Sequence, residues 1–331
     1  MDNKLRPKFT LKQKIFAHIE IWRPYTVIWC GLVSLSGSCI SYGNFPPLRI
    51  AFLVTIIPIL GWISGLYLID IIDRKLDIIQ KPHRPIPSGR IKKTEALIVG
   101  GFLVTIGFLL TIYLNYKNIF FVFIVALLVF SYAKFTKSRG LLGNINRGLV
   151  TVVAYFFGVF SVDLSINNIP LYIWTLSLIF LIHDVNSNMV GAIRDIEGDK
   201  KGGYVTLPVK FGVKKVGYIS FLMTVLLYFI LFYIVITYNF LANEFFILLF
   251  IDILILSSFY IYFVKSLKKF SRKKALNYHK FLVIERIILA SAFIFGIANI
   301  SIALVVLIMT LIITGYSQYI LRDRYEFKEL Q

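Results

Sequence analysis

Acidic residues are scarce in this chain: 17 Asp and Glu face 36 Lys and Arg across 331 residues, for a formal net charge of +19. Cysteine and histidine are scarcer still, at two and four. Cys30 and Cys39 lie nine positions apart in one apolar run. At about 100° per residue they take opposite faces of a helix, which argues against a mutual disulfide. Four histidines are too few to build the multi-histidine centre of a metal phosphohydrolase around the His183-Asp184 pair. Linkers, low-complexity tracts and strong internal repeats are also absent from the sequence, so one domain is expected. No cleavable leader is read, because the basic head runs into a span continuous with the rest.

Apolar sequence is what the chain has in excess. It is 58% hydrophobic with a mean hydropathy of +0.77, and long apolar runs recur, where about 20 residues cross a bilayer core. That composition excludes a soluble globular domain and predicts an all-α polytopic membrane protein. Spans are expected at 25–43, 50–71, 95–114, 118–136, 148–165, 169–193, 216–239, 244–264, 281–298 and 301–320. Residues 281–320 read either as two helices turning near Asn299 or as one long tilted helix. The bases sit between spans, so membrane orientation accounts for the charge and no nucleic-acid partner is expected. They gather on one side, within residues 4–23, 74–93, 134–147, 194–215 and 265–280, while the opposite loops before residue 281 hold only Arg49 and Lys117. The positive-inside bias makes the basic side cytoplasmic, in a bacterial plasma membrane. Arg322, Arg324 and Lys328 favour ten spans, which return the tail to that side. The expected division is a basic cytoplasmic segment over 1–24, a transmembrane domain over 25–320 and a short tail over 321–331. The run Lys265–Lys274 suits membrane lipids with anionic headgroups.

Two acidic clusters interrupt this basic face. Asp70, Asp73 and Asp77 follow the second span at i, i+3 and i+7, which puts them on one helix face. Asp195 and Asp199 follow the sixth span at i, i+4. A solvated helix end balanced by lysines is the ordinary reading of such a run. Two facts weigh against it. Asp70, Asp73, Asp77, Asp195, Glu197 and Asp199 are six of only 17 acids, and both clusters sit at helix C-termini, where the dipole disfavours negative charge by up to about 1 kcal/mol. Carboxylates so placed call for a cation. Mg²⁺ takes a few carboxylates and completes its octahedron with water and phosphate oxygens. Arg84, Arg90, Lys137, Arg147, Lys200 and Lys201 lie on the same side and suit a diphosphate. "RPIPSGR" (Arg84–Arg90) reads as a rigid turn with Gly89 free to take a positive φ. Acid, metal, diphosphate and base together suit ionisation of an allylic diphosphate.

With these motifs in hand, the chain resembles the UbiA superfamily of intramembrane prenyltransferases. The matches are "DIIDRKLD" (Asp70–Asp77), "RPIPSG" (Arg84–Gly89), "YAKFTKSRGLLGN" (Tyr132–Asn144), "RDIEGDKKGGYVTLPVKFG" (Arg194–Gly212) and "RP" at Arg23–Pro24. The resemblance implies a bundle of nine core transmembrane helices, here with a tenth added. It also implies a Mg²⁺-dependent transfer of a prenyl group from a polyprenyl diphosphate donor to a hydrophobic acceptor, aromatic or lipid-like. Asp73, Asp77, Asp195 and Asp199 match the catalytic, metal-binding motifs, with Asp70 beside them as a further metal ligand. Arg84 and Lys137 match diphosphate-binding positions, and Asn144, Arg147 and Lys200 join that set. Two positions depart from the pattern. Ile69 stands where the first motif usually begins with Asn, and Ala192 where the second usually has an acid or Asn. These departures leave open a terpene cyclase of the same superfamily, in which the substrate's own double bond captures the cation. A cation-coupled transporter would explain polar spans but not the paired motifs.

A helix running on to Asp199 would align Asn188, Ala192, Asp195 and Asp199 on one face. Asn188 is then a candidate for the acceptor side, with a bridge to a neighbouring helix as the equal alternative. Asp184, Asn186 and Ser187 make the same span unusually polar, either lining the site or bonding between helices. Asp163 and Asp252 read as structural or interfacial.

Overall fold

The computed structural model describes residues 9–162, 169–267 and 270–327. Asp163, Lys268, Lys269, Lys328 and the basic residues up to Lys8 lie outside them. The helices are α1 (Leu11–Trp22), α2 (Pro24–Tyr42), α3 (Leu48–Ile72), α4 (Arg74–Gln80), α5 (Lys93–Asn115), α6 (Ile119–Ser131) and α7 (Leu141–Val159). They continue with α8 (Leu171–Ala192), α9 (Ile196–Lys201), α10 (Leu207–Tyr238), α11 (Asn243–Ser266), α12 (Arg272–Phe295), α13 (Ile300–Ser317) and α14 (Asp323–Glu326). There is no strand among the described residues.

Hydropathy locates the spans but not their charged ends. Helix α7 begins at Leu141 rather than 148, which brings Asn144 and Arg147 onto the helix, and α12 begins at Arg272 rather than 281. Residues 281–320 form two helices. The chain leaves the α12 helix at Gly296, and the Asn299 side chain caps α13 by accepting from the Ser301 amide at 2.9 Å. Among the described residues, eight helical stretches are long and apolar enough to cross a membrane, counting α5 and α6 as one stretch. Those two are nevertheless separated by extended backbone at Asn115 (φ −163°, ψ 109°).

Helices α2 and α12 occupy the centre. From Leu282 to Phe295 nearly every α12 residue is buried, and α2 is buried from Trp29 to Ile40. Small residues let the inner helices approach closely, as membrane bundles require in the absence of a hydrophobic drive between helices. A Cβ on Gly158 of α7 would stand 1.8 Å from the Ser34 carbonyl oxygen of α2, and one on Gly37 would stand 2.5 Å from that of Tyr155. Helices α5, α6, α10, α11 and α13 form the outside and expose large apolar side chains such as Phe102, Leu127, Phe229, Phe250 and Ile308.

The α2–α7 contact sets a stability test. Gly158→Leu forces backbone apart and should destabilise the detergent-solubilised protein by at least about 2 kcal/mol, read as a lower melting temperature. Gly101→Ala, where an added Cβ meets nothing within 4 Å, should be neutral.

Candidate active site

One end of the bundle gathers the starts of α2, α7 and α12 with the ends of α3, α8 and α13. They enclose a polar cavity of about 1260 Å³, counting its open mouth. Asp70, Asp73, Asp77, Asp195 and Asp199 all line it.

The first cluster stands where α3 breaks. Asp73 closes α3, and the helix resumes as α4 with the Asp77 amide donating to the Asp73 carbonyl at 2.9 Å, so the common face survives the break. Each carboxylate takes a different base. Arg23 donates to Asp70 at 2.5 Å, and Tyr325 donates its hydroxyl proton to the other Asp70 oxygen at 3.0 Å. Lys137 pairs with Asp73. Arg84 grips Asp77 through one nitrogen, at 3.1 and 2.9 Å. Burial opposes the charge on Arg84, but Tyr325, Asp77 and Glu326 outweigh it and hold the guanidinium above its ordinary value. The RPIPSG segment is the expected turn, with Gly89 at φ +78°.

In the second cluster, α8 tightens into a 3₁₀ turn over Ile193–Asp195 before α9. The helix therefore does not run on to Asp199, yet Asn188, Ala192, Asp195 and Asp199 all line the cavity. Arg194 holds Asp195 at 2.5 Å, and Lys81 reaches it at 3.2 Å. Asp199 accepts from the Thr206 hydroxyl at 3.0 Å. The loop carrying Lys137 is pinned across the cavity: the Val205 amide donates to the Ser138 carbonyl at 2.9 Å, and Gly140 turns at φ +56° where a Cβ would stand 2.9 Å from the Val205 oxygen.

Of the other expected site residues, Asn144 and Arg147 line the cavity. Arg147 lies 3.6 Å from Asp184 and stacks over Trp62 at 5.0 Å. Asn188 donates to Asn144 at 2.6 Å, the interhelical bridge that the sequence left open, and both face the cavity. Lys200 does not join them: α9 turns it outward with Lys201, and both are exposed. Arg90 leaves the site for Glu20 of α1, at 2.6 Å. His183 donates to or accepts from Glu285 at 2.7 Å, and Asn186 donates to Thr224 at 3.0 Å, so these polar residues knit helices together.

The residues missed are Lys81, Arg194, His279 and the folded-back tail. What was expected as a short tail enters the cavity. Glu326 accepts from Lys81 at 3.0 Å, pairs with Arg194 at 3.0 Å and stands 3.7 Å from Arg84. Burial lowers the Lys81 pKa, with Arg84 adding to the shift, and Asp195 and Glu326 oppose it. The Tyr325 ring lies between Arg23 and Arg84, at 4.1 and 4.2 Å. Only the i, i+4 spacing of Arg322 and Glu326 hinted at this. From the basic run, Arg272 comes within 3.8 Å of Asp195.

Among the described residues no three acidic, His or Cys side chains form a ready metal cage. Two carboxylate pairs on opposite walls are a donor set that suits Mg²⁺, which binds through one or two carboxylates and relies on water and phosphate oxygens for the rest. A second, apolar cavity of about 990 Å³ lies among α3, α5, α6 and α7, lined by residues such as Phe108, Phe121, Val129 and Phe157. Trp62 belongs to both cavities.

The model of the UbiA prenyltransferase family matches residues 27–284. Digeranylgeranylglyceryl phosphate synthase of Pyrococcus horikoshii is 31% identical over 204 residues, 62% of this chain and 72% of the relative. A solved digeranylgeranylglyceryl phosphate synthase shares 28% identity, with a TM-score of 0.63 over 86% of this chain and 98% of that one. A UbiA homolog from Archaeoglobus fulgidus, solved bound to GPP and Mg²⁺, shares the fold at 14% identity, with a TM-score of 0.58 over 92% of this chain and 99% of that one.

Glu326 neutralises three buried bases from two segments, and removing one partner of a buried ion pair costs about 3 kcal/mol. Glu326→Ala should therefore free the tail. Limited trypsin treatment should cut after Arg322 or Arg324 at least about tenfold faster than in the unaltered protein, about 1.4 kcal/mol per tenfold, measured by mass spectrometry of the C-terminal peptide.

Proposed function

The chain belongs to the UbiA prenyltransferase family; it is a Mg²⁺-dependent prenyltransferase of the membrane, and we propose that it joins a prenyl chain to a glyceryl phosphate lipid. The observation that carries this reading is the junction at Trp62 of a cavity lined by paired carboxylates and bases with an apolar one. The names of the relatives supply the acceptor class.

The prenyl chain of the donor occupies the apolar cavity, and its diphosphate lies among Lys81, Arg84, Lys137 and Arg194. Asp73, Asp77, Asp195 and Asp199 hold Mg²⁺, which when bound supplies positive charge to the departing diphosphate. Arg84 offers a planar fork to the phosphate oxygens, and Lys137 adds a point charge. Phe108, Phe121 and Phe157 line the apolar cavity and keep water from the allylic carbon as its bond to oxygen breaks. A hydroxyl of the acceptor then forms the new carbon–oxygen bond and gives up its proton to the departed diphosphate. Asp70, engaged by Arg23 and Tyr325, positions these two and stands beside the metal-holding aspartates as a further ligand. The site opens to the cytoplasm, a reading supported by the basic residues at the same helix ends.

The test is transfer of a geranylgeranyl group from its diphosphate to geranylgeranylglyceryl phosphate by the purified protein. Asp73→Ala, Asp77→Ala, Asp195→Ala and Asp199→Ala should each lower turnover at least about 10²-fold, the scale for one preorganised electrostatic group. EDTA should abolish the reaction and Mg²⁺ restore it. Near-normal turnover in any two variants would overturn the paired-carboxylate site, and a cyclised hydrocarbon formed without acceptor would replace transfer with cyclisation.

A further inference from the structure

Arg322 is a cavity-lining cation that finds no carboxylate partner among the described residues. It closes a π-helical turn, Gln318–Arg322, that extends α13 beyond the stretch matched by the family model. The side chain is 1% exposed. Its contacts are neutral: it donates to the Gln318 carbonyl oxygen Oε1 at 3.0 Å and to His279 Nδ1, and lies 4.7 Å over the Tyr25 ring. Its Nε–H has no partner. Glu326, one helical turn on, turns away to Lys81, Arg84 and Arg194. A buried guanidinium with neutral partners only is disfavoured until an anion joins it, and here the cavity is the open side.

His279 extends the same wall. Arginine only donates, so Nδ1 accepts and the proton of the neutral ring sits on Nε2. The ring packs on α8, where a Cβ added to Gly191 would stand 3.0 Å from it. The next residue is Ala192, the position at which the family resemblance anticipates an acid or Asn. This wall therefore has donors where a carboxylate would repel an anion.

We propose that Arg322 and His279 form a second anion subsite, which takes the phosphate monoester of the lipid acceptor. The assignment rests on the acceptor class argued above. The subsite stands on the α8, α12 and α13 side, where it adjoins Arg194 of the donor site after α8, whereas Lys81, Arg84 and Lys137 of the donor site come from the segments after α4 and α6. It makes the segment after α13 a determinant of acceptor choice.

The experiment uses the full chain in detergent and measures binding by calorimetry and thermal shift. The probes are dodecyl phosphate, dodecanol, inorganic phosphate and Mg²⁺-pyrophosphate. Arg322→Gln should weaken dodecyl phosphate about tenfold, the effect of one lost charge-assisted hydrogen bond. Mg²⁺-pyrophosphate should stay within about twofold, since Lys81, Arg84, Lys137 and Arg194 all remain to hold it, and dodecanol should be unaffected. Arg322→Lys should fall between, and His279→Gln should weaken the same probe, so that a folding defect in one variant leaves the others to decide. In turnover, KM for the phosphate acceptor should rise while KM for the donor holds. Unchanged dodecyl phosphate binding, or a matching loss of pyrophosphate, would overturn the subsite. Inorganic phosphate binding as tightly as dodecyl phosphate would assign the wall to free phosphate and overturn its link to the acceptor. Arg84→Ala separates the two levels of the argument: if it leaves pyrophosphate binding intact, the donor site itself is wrong, whereas with that control sound a failure in Arg322→Gln removes the subsite alone.

Discussion

A carboxylate at the C-terminal end of a buried helix is opposed twice, by loss of water and by the negative end of the helix dipole. Helices α3 and α8 both end in such groups, and the organisation of this end of the bundle follows from satisfying them. Asp70 draws Arg23 from the α1–α2 junction, Asp73 draws Lys137 from beyond α6, Asp77 draws Arg84 from beyond α4, and Asp195 draws Arg194 and Lys81. The ion pairs tie loops from distant parts of the sequence into one wall. They also store the bases that a diphosphate requires. In the proposed site the acids would hold Mg²⁺ and the bases the diphosphate, so that existing pairs would be exchanged and the charge of the wall need not be assembled during the reaction. Preorganisation of this kind is the largest common source of electrostatic catalysis.

The tail completes that balance. Lys81, Arg84 and Arg194 carry three positive charges, and Asp77 and Asp195 between them supply two negative ones. Glu326 provides a third. Tyr325 does the corresponding work for Arg23 and Arg84 with its ring and for Asp70 with its hydroxyl. Helix α13 is thus more than another lipid-facing span: it delivers a carboxylate, a phenol and a guanidinium to a site whose aspartates lie within the stretch that the family model matches.

Legibility in the sequence followed the range of the interactions involved. Apolar runs located every long helix, and the turn near Asn299 was one of the two readings for residues 281–320. The aspartates, Arg84, Lys137, Asn144 and Arg147, which line the cavity, could be singled out because their motifs are local and each carries its own chemistry. Gly89 was legible because only its type takes φ +78° without strain. Lys200 was misplaced because adjacent residues on a one-turn helix diverge by about 100°, so the inward Asp199 turns its neighbour out. Glu326 and Arg322 were missed for a different reason. Their own i, i+4 spacing is the only local mark, and their partners, Lys81 and His279, are 245 and 43 residues away.

The two ends of the site neutralise charge in opposite ways. On the donor side acids and bases are matched, which suits a ligand that arrives with its own divalent cation and leaves with it as diphosphate. On the Arg322 side a base stands without an acid, which suits an anion that brings no metal and stays attached to the product. Trp62 lies where the polar cavity meets the apolar one, with Arg147 over its ring. In the proposed reaction a cation formed at that boundary would have apolar walls on the prenyl side and the acceptor on the other. Capture by the acceptor hydroxyl is then favoured over capture by water, because the walls that bind the prenyl chain are the ones that exclude water.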